Sequence, residues 1–128
     1  MFKNDLIRDG SLRTDDSGFS FDARLNWYRA LPLSSIHLTV EVDGAPVEDE
    51  AITFSVDGET YRHAELASRD DRMWFVADPA RVRVERPGGL APGQHELSLS
   101  IASRIPYIPT RPPEVLVQED TCRKTVTV

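Results

Sequence analysis

Cysteine and lysine are scarce in this chain of 128 residues. A single cysteine, Cys122, rules out a disulfide within the chain. Chains without disulfides are typical of a reducing compartment, so we expect a cytoplasmic protein. Lys3 and Lys124 are the only lysines, and the other basic residues are arginines. Biased codon usage is the simplest reason for that preference, although guanidinium groups also suit carboxylates at interfaces.

An excess of basic charge is also missing. Fifteen basic residues stand against 21 acidic ones, which gives a formal net charge of −6. Nucleic acids and anionic membranes are bound through basic surfaces, so neither is expected as a main partner. No segment is long and apolar enough to cross a bilayer. Residues 1–5 do not begin the apolar stretch of a signal peptide either, which agrees with a cytoplasmic location.

Motifs for metal binding or catalysis are not evident. His37, His63 and His95 are isolated, and neither His-x-His nor Cys-x-x-Cys spacing occurs. We expect His37 on the outer side of a strand and His63 in a polar stretch, and we interpret Cys122 as a structural thiol. Acidic pairs lie in polar, loop-like runs, where solvated charge is the default. A spatial triad stays open, but no local signature favours one, so we predict no catalytic and no metal-binding residue in this chain.

Alternation of apolar and polar residues is the clearest structural signal. Across residues 19–27 every second side chain is apolar, beginning with Phe19 and ending with Trp27. A half-buried strand has this period, because successive side chains point to opposite faces of a sheet. Trp27 ends the inward row and is assigned to the core. Similar alternation recurs in several later segments: 36–42, 52–56, 82–84, 97–101 and 125–128.

Turn dipeptides separate these strands. Asp43-Gly44 and Asp57-Gly58 are typical of tight hairpins, and we interpret them as two turns of one meander. The short apolar run at residues 73–76 is interpreted as a strand buried on both faces. Residues 63–72 are the only helix candidate and have room for one or two turns.

The number of strands predicts the fold class. Seven or eight short strands, with turn signals about every ten residues, predict a single all-β domain over residues 1–128. We expect an antiparallel β-sandwich or jelly roll with at most one short helix. A parallel α/β fold is disfavoured because the crossover helices are missing.

Two apolar loops do not fit a simple sandwich: residues 27–33 and residues 105–113. Four prolines in the second loop exclude a helix or a central strand there and favour an extended conformation that loses little entropy on docking. Tyrosine and arginine are enriched at binding hot spots. We therefore predict a subunit interface formed by Tyr28, Arg29, Leu31, Pro32, Tyr107, Ile108, Pro109 and Arg111.

The order of several segments resembles a known family. Residues 26–36, followed by residues 38–44 ending in Val-Asp-Gly, resemble the β subunits of bacterial C-glycoside deglycosidases, which typically show a Tyr-Arg-Gly-Leu-Pro-Leu-Ser type segment. Ala30 departs from that pattern, since glycine is expected at its position. The resemblance runs from about Leu6 to Val128. Further matching segments are 52–58, Tyr61, 87–97, 107–109 and 124–128.

This resemblance implies a function. In that family a larger α subunit, a (β/α)₈ barrel with a divalent metal (expected to be Mn²⁺), cleaves the carbon–carbon bond between an aromatic aglycone and a 3-oxo-glucosyl group. The resemblance implies that the present chain is a non-catalytic subunit of such a lyase, bound to the barrel in a hetero-oligomer that acts on substrates such as flavonoid C-glucosides. It also implies that the chain itself holds no cofactor.

Two other functions remain open from the sequence. One is a carbohydrate- or aglycone-binding module that uses the rings of Tyr28 or Tyr107. The other, a free-standing small enzyme, is weaker because no constellation of residues supports it.

Overall fold

The computed structural model describes residues 6–25, 30–69, 71–75, 78–105 and 116–128. Within these residues the chain is all-β, as predicted, and its helical segments are the short 3₁₀ helices Leu33–Ser35, Asp49–Ala51 and His63–Ser68. The strands are β1 (Arg13–Asp15), β2 (Gly18–Ala23), β3 (Leu31–Pro32), β4 (Ile36–Val42), β5 (Ala45–Pro46), β6 (Ile52–Val56), β7 (Glu59–Arg62), β8 (Met73–Trp74), β9 (Ala80–Glu85), β10 (Gln94–Ile105) and β11 (Leu116–Thr127).

The strands form three antiparallel sheets. A five-stranded sheet has the order β1-β2-β9-β6-β7, and a four-stranded sheet has the order β11-β10-β4-β5. The third sheet is the small pair β3-β8. Both larger sheets send alternate apolar side chains into one cluster of buried residues, so they share a single core. Its largest fully buried side chains include Trp74, Phe19, Phe21, Phe54, Leu38 and Leu99.

The first predicted strand ends earlier than the alternation of residues 19–27 indicates. β2 ends at Ala23, although Leu25 beyond it is still buried, and Trp27 lies outside the described residues. Ser20 is buried as well, on the side predicted to face water. The Arg81 side chain reaches across from β9 and donates a hydrogen bond to the Ser20 hydroxyl at 3.0 Å, which covers it.

Both Asp-Gly turns are confirmed, but they do not belong to one meander. Asp43 and Asp57 have φ angles of 52° and 53°, and each is followed by a glycine with positive φ, as a two-residue hairpin turn requires. The first turn joins β4 to β5 in the four-stranded sheet, whereas the second joins β6 to β7 in the five-stranded sheet. The prediction of a single meander is therefore wrong, because the chain changes sheets between the two hairpins.

The last hairpin is longer than its alternation indicates. β10 and β11 pair from Gln94↔Thr127 to Ile105↔Leu116. Most of β11 shows no alternation of apolar and polar residues in the sequence, because only Asp120 and Cys122 of its described side chains are buried. No helix among the described residues has the length and apolar character needed to traverse a membrane.

Candidate functional site

Most of the predicted interface residues lie outside the described residues. Of the whole set, the structure describes only Leu31 and Pro32. Leu31 is fully buried and Pro32 is half-buried. The interface prediction is thus untested for the remaining six residues, which are Tyr28, Arg29, Tyr107, Ile108, Pro109 and Arg111.

Leu31 is buried because of its strand pairing. It lies opposite Trp74 in the β3–β8 pair, and directly opposed side chains share a face. Trp74 is also fully buried, packs edge-to-face against Phe54 with 5.2 Å between ring centroids, and donates its indole N–H to the Asp78 carbonyl at 2.8 Å. Leu31 is therefore core, and its side chain is not available to a partner.

The opposite face of the same pair is apolar and exposed. Met73 is 38% exposed and Phe75 is 52% exposed, and Pro32 lies opposite Met73 in the pairing. We name these three residues, Pro32, Met73 and Phe75, the ribbon face. The prediction of a strand buried on both faces is wrong for residues 73–75, since Met73 and Phe75 are exposed, and residue 76 lies outside the described residues. Among the described strands β8 pairs with the short β3 and belongs to neither of the two larger sheets.

The backbone beneath the ribbon face is held on both sides. Leu33 donates its N–H to the Arg72 carbonyl at 2.9 Å, and Ser34 donates to the Arg69 carbonyl at 3.2 Å. Beyond the strand, the Asp78 N–H donates to the Phe75 carbonyl at 3.0 Å. These bonds and the buried Trp74 hold the backbone from which the exposed side chains project.

A small open cavity adjoins the ribbon face. Its volume is about 190 Å³, and it lies between Met73 and Phe75 on one side and Val56 and Tyr61 of the β6–β7 hairpin on the other. Sites for drug-sized ligands usually have about 300–1,000 Å³. The cavity is smaller than that range and has the size to take a single apolar side chain.

The border of this cavity carries mostly negative charge. Asp57, Glu59 and Asp71 line it together with one guanidinium group, that of Arg72. We name the three carboxylates, Asp57, Glu59 and Asp71, the acidic rim. Arg72 pairs with Glu59 at 3.2 Å.

Tyr61 is tied to the same border. Its hydroxyl donates a hydrogen bond to Glu59, and this bond is the main reason that the pKa of Tyr61 is raised above 10. The Arg69 guanidinium lies 5.4 Å from the centre of the Tyr61 ring, within the range of a cation–π contact. Glu59 is therefore held by Tyr61 and by Arg72 at the border of the cavity.

The histidines do not form a reactive site. His37 is exposed on β4 as predicted, but His63 is buried, against the expectation of a polar stretch. Its Nε2 accepts the Leu38 N–H at 2.9 Å, so Nδ1 carries the proton and faces an Asp49 carboxylate oxygen at 3.3 Å. Burial lowers the pKa of His63. His63 is buried as an acceptor because the Leu38 N–H would otherwise be left without a hydrogen bond in the core, which is costly.

Metal ligands are not gathered in the described part of the chain. None of its His, Cys, Asp and Glu side chains come together in a group of three that suits a metal ion. Cys122 is 2% exposed, which agrees with its interpretation as a structural thiol. Among these residues the exposed apolar surface beside a cavity is therefore the strongest candidate for function.

The fold and this surface define a class of protein, a small all-β chain that presents exposed apolar side chains beside a cavity in its described part. Residues 1–107 match the family model described as C-glycoside deglycosidase beta subunit. Since the match covers most of the chain, the chain belongs to that family. The resemblance found in the sequence is thereby confirmed.

Three characterised relatives support the assignment. The "3'-dehydrocarminate deglycosidase beta subunit" of Microbacterium sp. is 43% identical over 111 residues, which are 85% of this chain and 83% of the relative. The "C-glycoside deglycosidase beta subunit" of Eubacterium cellulosolvens is 36% identical over 94 residues, or 73% of this chain and 64% of the relative. A protein of the same name from Microbacterium trichothecenolyticum is 32% identical over 130 aligned positions, or 98% of this chain and 96% of the relative.

Proposed function

We propose that this chain is the non-catalytic subunit of a C-glycoside deglycosidase and that it acts by binding a catalytic subunit. The observation that carries the proposal is the family match over residues 1–107, together with relatives that are named beta subunits. A beta subunit has a function only within a complex. In this proposal the complex is a hetero-oligomer located in the cytoplasm.

The catalytic partner in this proposal is a (β/α)₈ barrel that holds a divalent metal, with Mn²⁺ as the expected ion. The described residues of the present chain do not fit such an ion, since no three of their potential ligand side chains converge. The proposed part of this chain in the reaction is therefore structural. Its role is to stabilise the partner and to brace the loops at the mouth of the barrel, where barrel enzymes keep their active sites.

The resemblance to the family supports a substrate class for the proposed complex. The proposed complex cleaves the carbon–carbon bond between an aromatic aglycone and a 3-oxo-glucosyl group, as in 3-oxo flavonoid C-glucosides. One relative is named for 3'-dehydrocarminate, and a 3'-dehydro sugar agrees with that class. The resemblance in sequence and the name of this relative support the class without selecting one compound.

The alternative of a free carbohydrate- or aglycone-binding module receives no support from the described residues. Tyr28 and Tyr107, on which it was based, lie outside them. The cavity beside the ribbon face has about 190 Å³, and two others at the surface have about 270 Å³ each. These volumes are below the usual range for small-molecule sites.

Reconstitution tests the proposal. The catalytic subunit and this chain are purified separately, and release of aglycone from a 3-oxo C-glucoside is followed for each alone and for the mixture. We expect no turnover from this chain and a higher rate from the mixture than from the catalytic subunit alone. The proposal is wrong if this chain releases aglycone unaided, or if the catalytic subunit alone matches the mixture in turnover and heat resistance.

A further inference from the structure

We propose that the ribbon face and the adjoining cavity are the docking surface for the catalytic subunit, which inserts one apolar side chain into the cavity and presents basic residues to the acidic rim. This inference rests on the proposed function and locates the contact. The predicted interface included Leu31, which lies in the core. The docking surface proposed here instead uses Met73 and Phe75, which the sequence alone assigned to the core.

The exposed apolar surface is the first argument. Among the described residues, the large apolar side chains that stand exposed are Met73, Phe75, Val117 and Val128. Only the first two border the cavity beside β7. Single exposed apolar residues are ordinary, but aromatic and methionine side chains gathered around a concave site are typical of the centre of an interface.

Rigidity is the second argument. The ribbon face is backed by the fully buried Trp74 and held by backbone bonds from Leu33 to Arg72 and from Asp78 to Phe75. A surface whose backbone is already held in place loses less backbone entropy when a partner binds. The surface is therefore organised for contact before the partner arrives.

Charge decides between a second copy of this chain and a different protein. In a symmetric dimer formed through this surface, each acidic rim faces the identical rim of the other copy. On each side three carboxylates outnumber the one guanidinium group, that of Arg72, so two such borders repel one another, in a chain whose formal net charge is already −6. A different chain with basic residues around an apolar side chain complements the same surface, so the catalytic subunit is the occupant that the charges favour.

The experiment measures binding to the purified catalytic subunit by calorimetric titration. Phe75→Ser is compared with the wild-type chain and with Val117→Ser as the matched control, since Phe75 and Val117 are 52% and 53% exposed. We expect Phe75→Ser to weaken binding about tenfold or more and Val117→Ser to leave it unchanged. Met73→Ser is the second variant and should weaken binding in the same direction.

The acidic rim gives an independent measurement. Binding of the wild-type chain should weaken as salt is raised, because the attraction between charged rims is screened. Asp71→Lys should weaken binding at low salt and reduce its dependence on salt. Asp71 is exposed, so unfolding midpoints of all variants are expected to stay near the wild-type value.

The possible outcomes separate this inference from the proposed function. If the wild-type chain does not bind the catalytic subunit, the proposed function fails and this inference with it. If the wild-type chain binds but Phe75→Ser and Met73→Ser bind equally tightly, only the docking surface is overturned. It is also overturned if the chain alone forms a dimer that Phe75→Ser dissociates. Binding of a free flavone to the chain alone, lost in Phe75→Ser, overturns it in favour of a ligand site.

Discussion

At the scale of single residues, His95 has the most specific environment. Its Nδ1 lies 2.7 Å from the Asp43 carboxylate, and its Nε2 lies 2.7 Å from the Ala91 carbonyl. Both partners can accept hydrogen bonds, so these contacts favour the imidazolium form, in which both ring nitrogens carry protons. The hydrogen bond with Asp43 is the main cause of the raised pKa of His95, and it is also the main cause of the lowered pKa of Asp43.

The His95–Asp43 pair connects two segments at one end of the four-stranded sheet. Asp43 lies in the β4–β5 turn and also accepts the Glu96 N–H at 2.8 Å, while Ala91 belongs to the loop before β10. His95 therefore joins the turn to the loop. The two hydrogen bonds of the His95 ring stabilise the fold most when the imidazole is protonated.

We predict a dependence of stability on pH that His95 produces. The folded-state pKa of His95 is above its unfolded value of 6.5, so its contribution is fully present below pH 6.5 and is lost as the pH rises through the folded-state pKa. Thermal unfolding of the wild type and of His95→Gln, followed from pH 5 to 9, should show a difference that is largest at the acid end. Asp43→Asn is the second variant, and it should lose the same pH-dependent stability relative to the wild type. A loss of stability that is equal at every pH contradicts the prediction.

At the scale of elements, the glycine-rich loop after β9 is closed onto the β1–β2 hairpin. The Gly88 N–H donates to the Asp16 carbonyl at 2.7 Å, and the Leu90 N–H donates to the Thr14 hydroxyl at 2.9 Å. Between them Gly89 has a φ of 64°, and a Cβ atom there would lie 2.1 Å from the Asp15 carbonyl oxygen. The contact is backbone against backbone, so neither side can move aside easily.

Substitution of two neighbouring glycines distinguishes the cost of backbone strain from the cost of a steric clash. Gly88 has a φ of 81° and nothing within 4 Å of its ideal Cβ position, whereas Gly89 has both positive φ and the close approach. We predict that Gly88→Ala costs about 1–2 kcal/mol of unfolding free energy, from backbone strain alone. Gly89→Ala should cost about 1–3 kcal/mol more, because of overpacking. Urea denaturation measures both, and equal losses would show that the loop moves away from the hairpin.

At the scale of the whole molecule, one core holds the two larger sheets, and the β3–β8 pair joins this core through Leu31 and Trp74 as a separate small sheet. β3 and β8 bury Leu31 and Trp74 and leave Met73 and Phe75 outside. If the catalytic subunit covers this face only in the folded state, binding must stabilise the fold by mass action. Saturation with a partner at one hundred times its dissociation constant contributes about 2.7 kcal/mol.

We therefore predict that the melting temperature of this chain rises when the catalytic subunit is added, and that the rise grows with partner concentration. Phe75→Ser should melt near the wild type when alone and should show a smaller rise at the same partner concentration. Intrinsic fluorescence of the mixture, compared with each component, provides the measurement. A melting temperature that does not respond to excess catalytic subunit contradicts the prediction.

Local signals in the sequence predict local structure well. Alternation identified β4 and β6, and the Asp-Gly dipeptides identified both hairpin turns, because a turn with two positive φ angles depends on the residues within it. These signals carry no information on which strands become neighbours. For this reason the two hairpins were assigned to one meander, although they lie in different sheets.

The same limit applies to the candidate site. Of the two predicted interface residues that the structure describes, Pro32 is half-buried and Leu31 is buried in the core. Met73 and Phe75 were missed, because an unbroken apolar run does not show which of its residues face outward. Pairing between β3 and β8 decides this, and it joins residues about 40 positions apart in the chain.

The amino-acid sequence was sufficient for the all-β class, the turns and the family, because periodicity, turn chemistry and the order of motifs are properties of neighbouring residues. The tertiary structure was needed for the division into two sheets, the burial of His63 and the exposure of Phe75. Each of these depends on contacts between distant segments. Such contacts are selected by packing of the whole chain around one core and leave no local pattern.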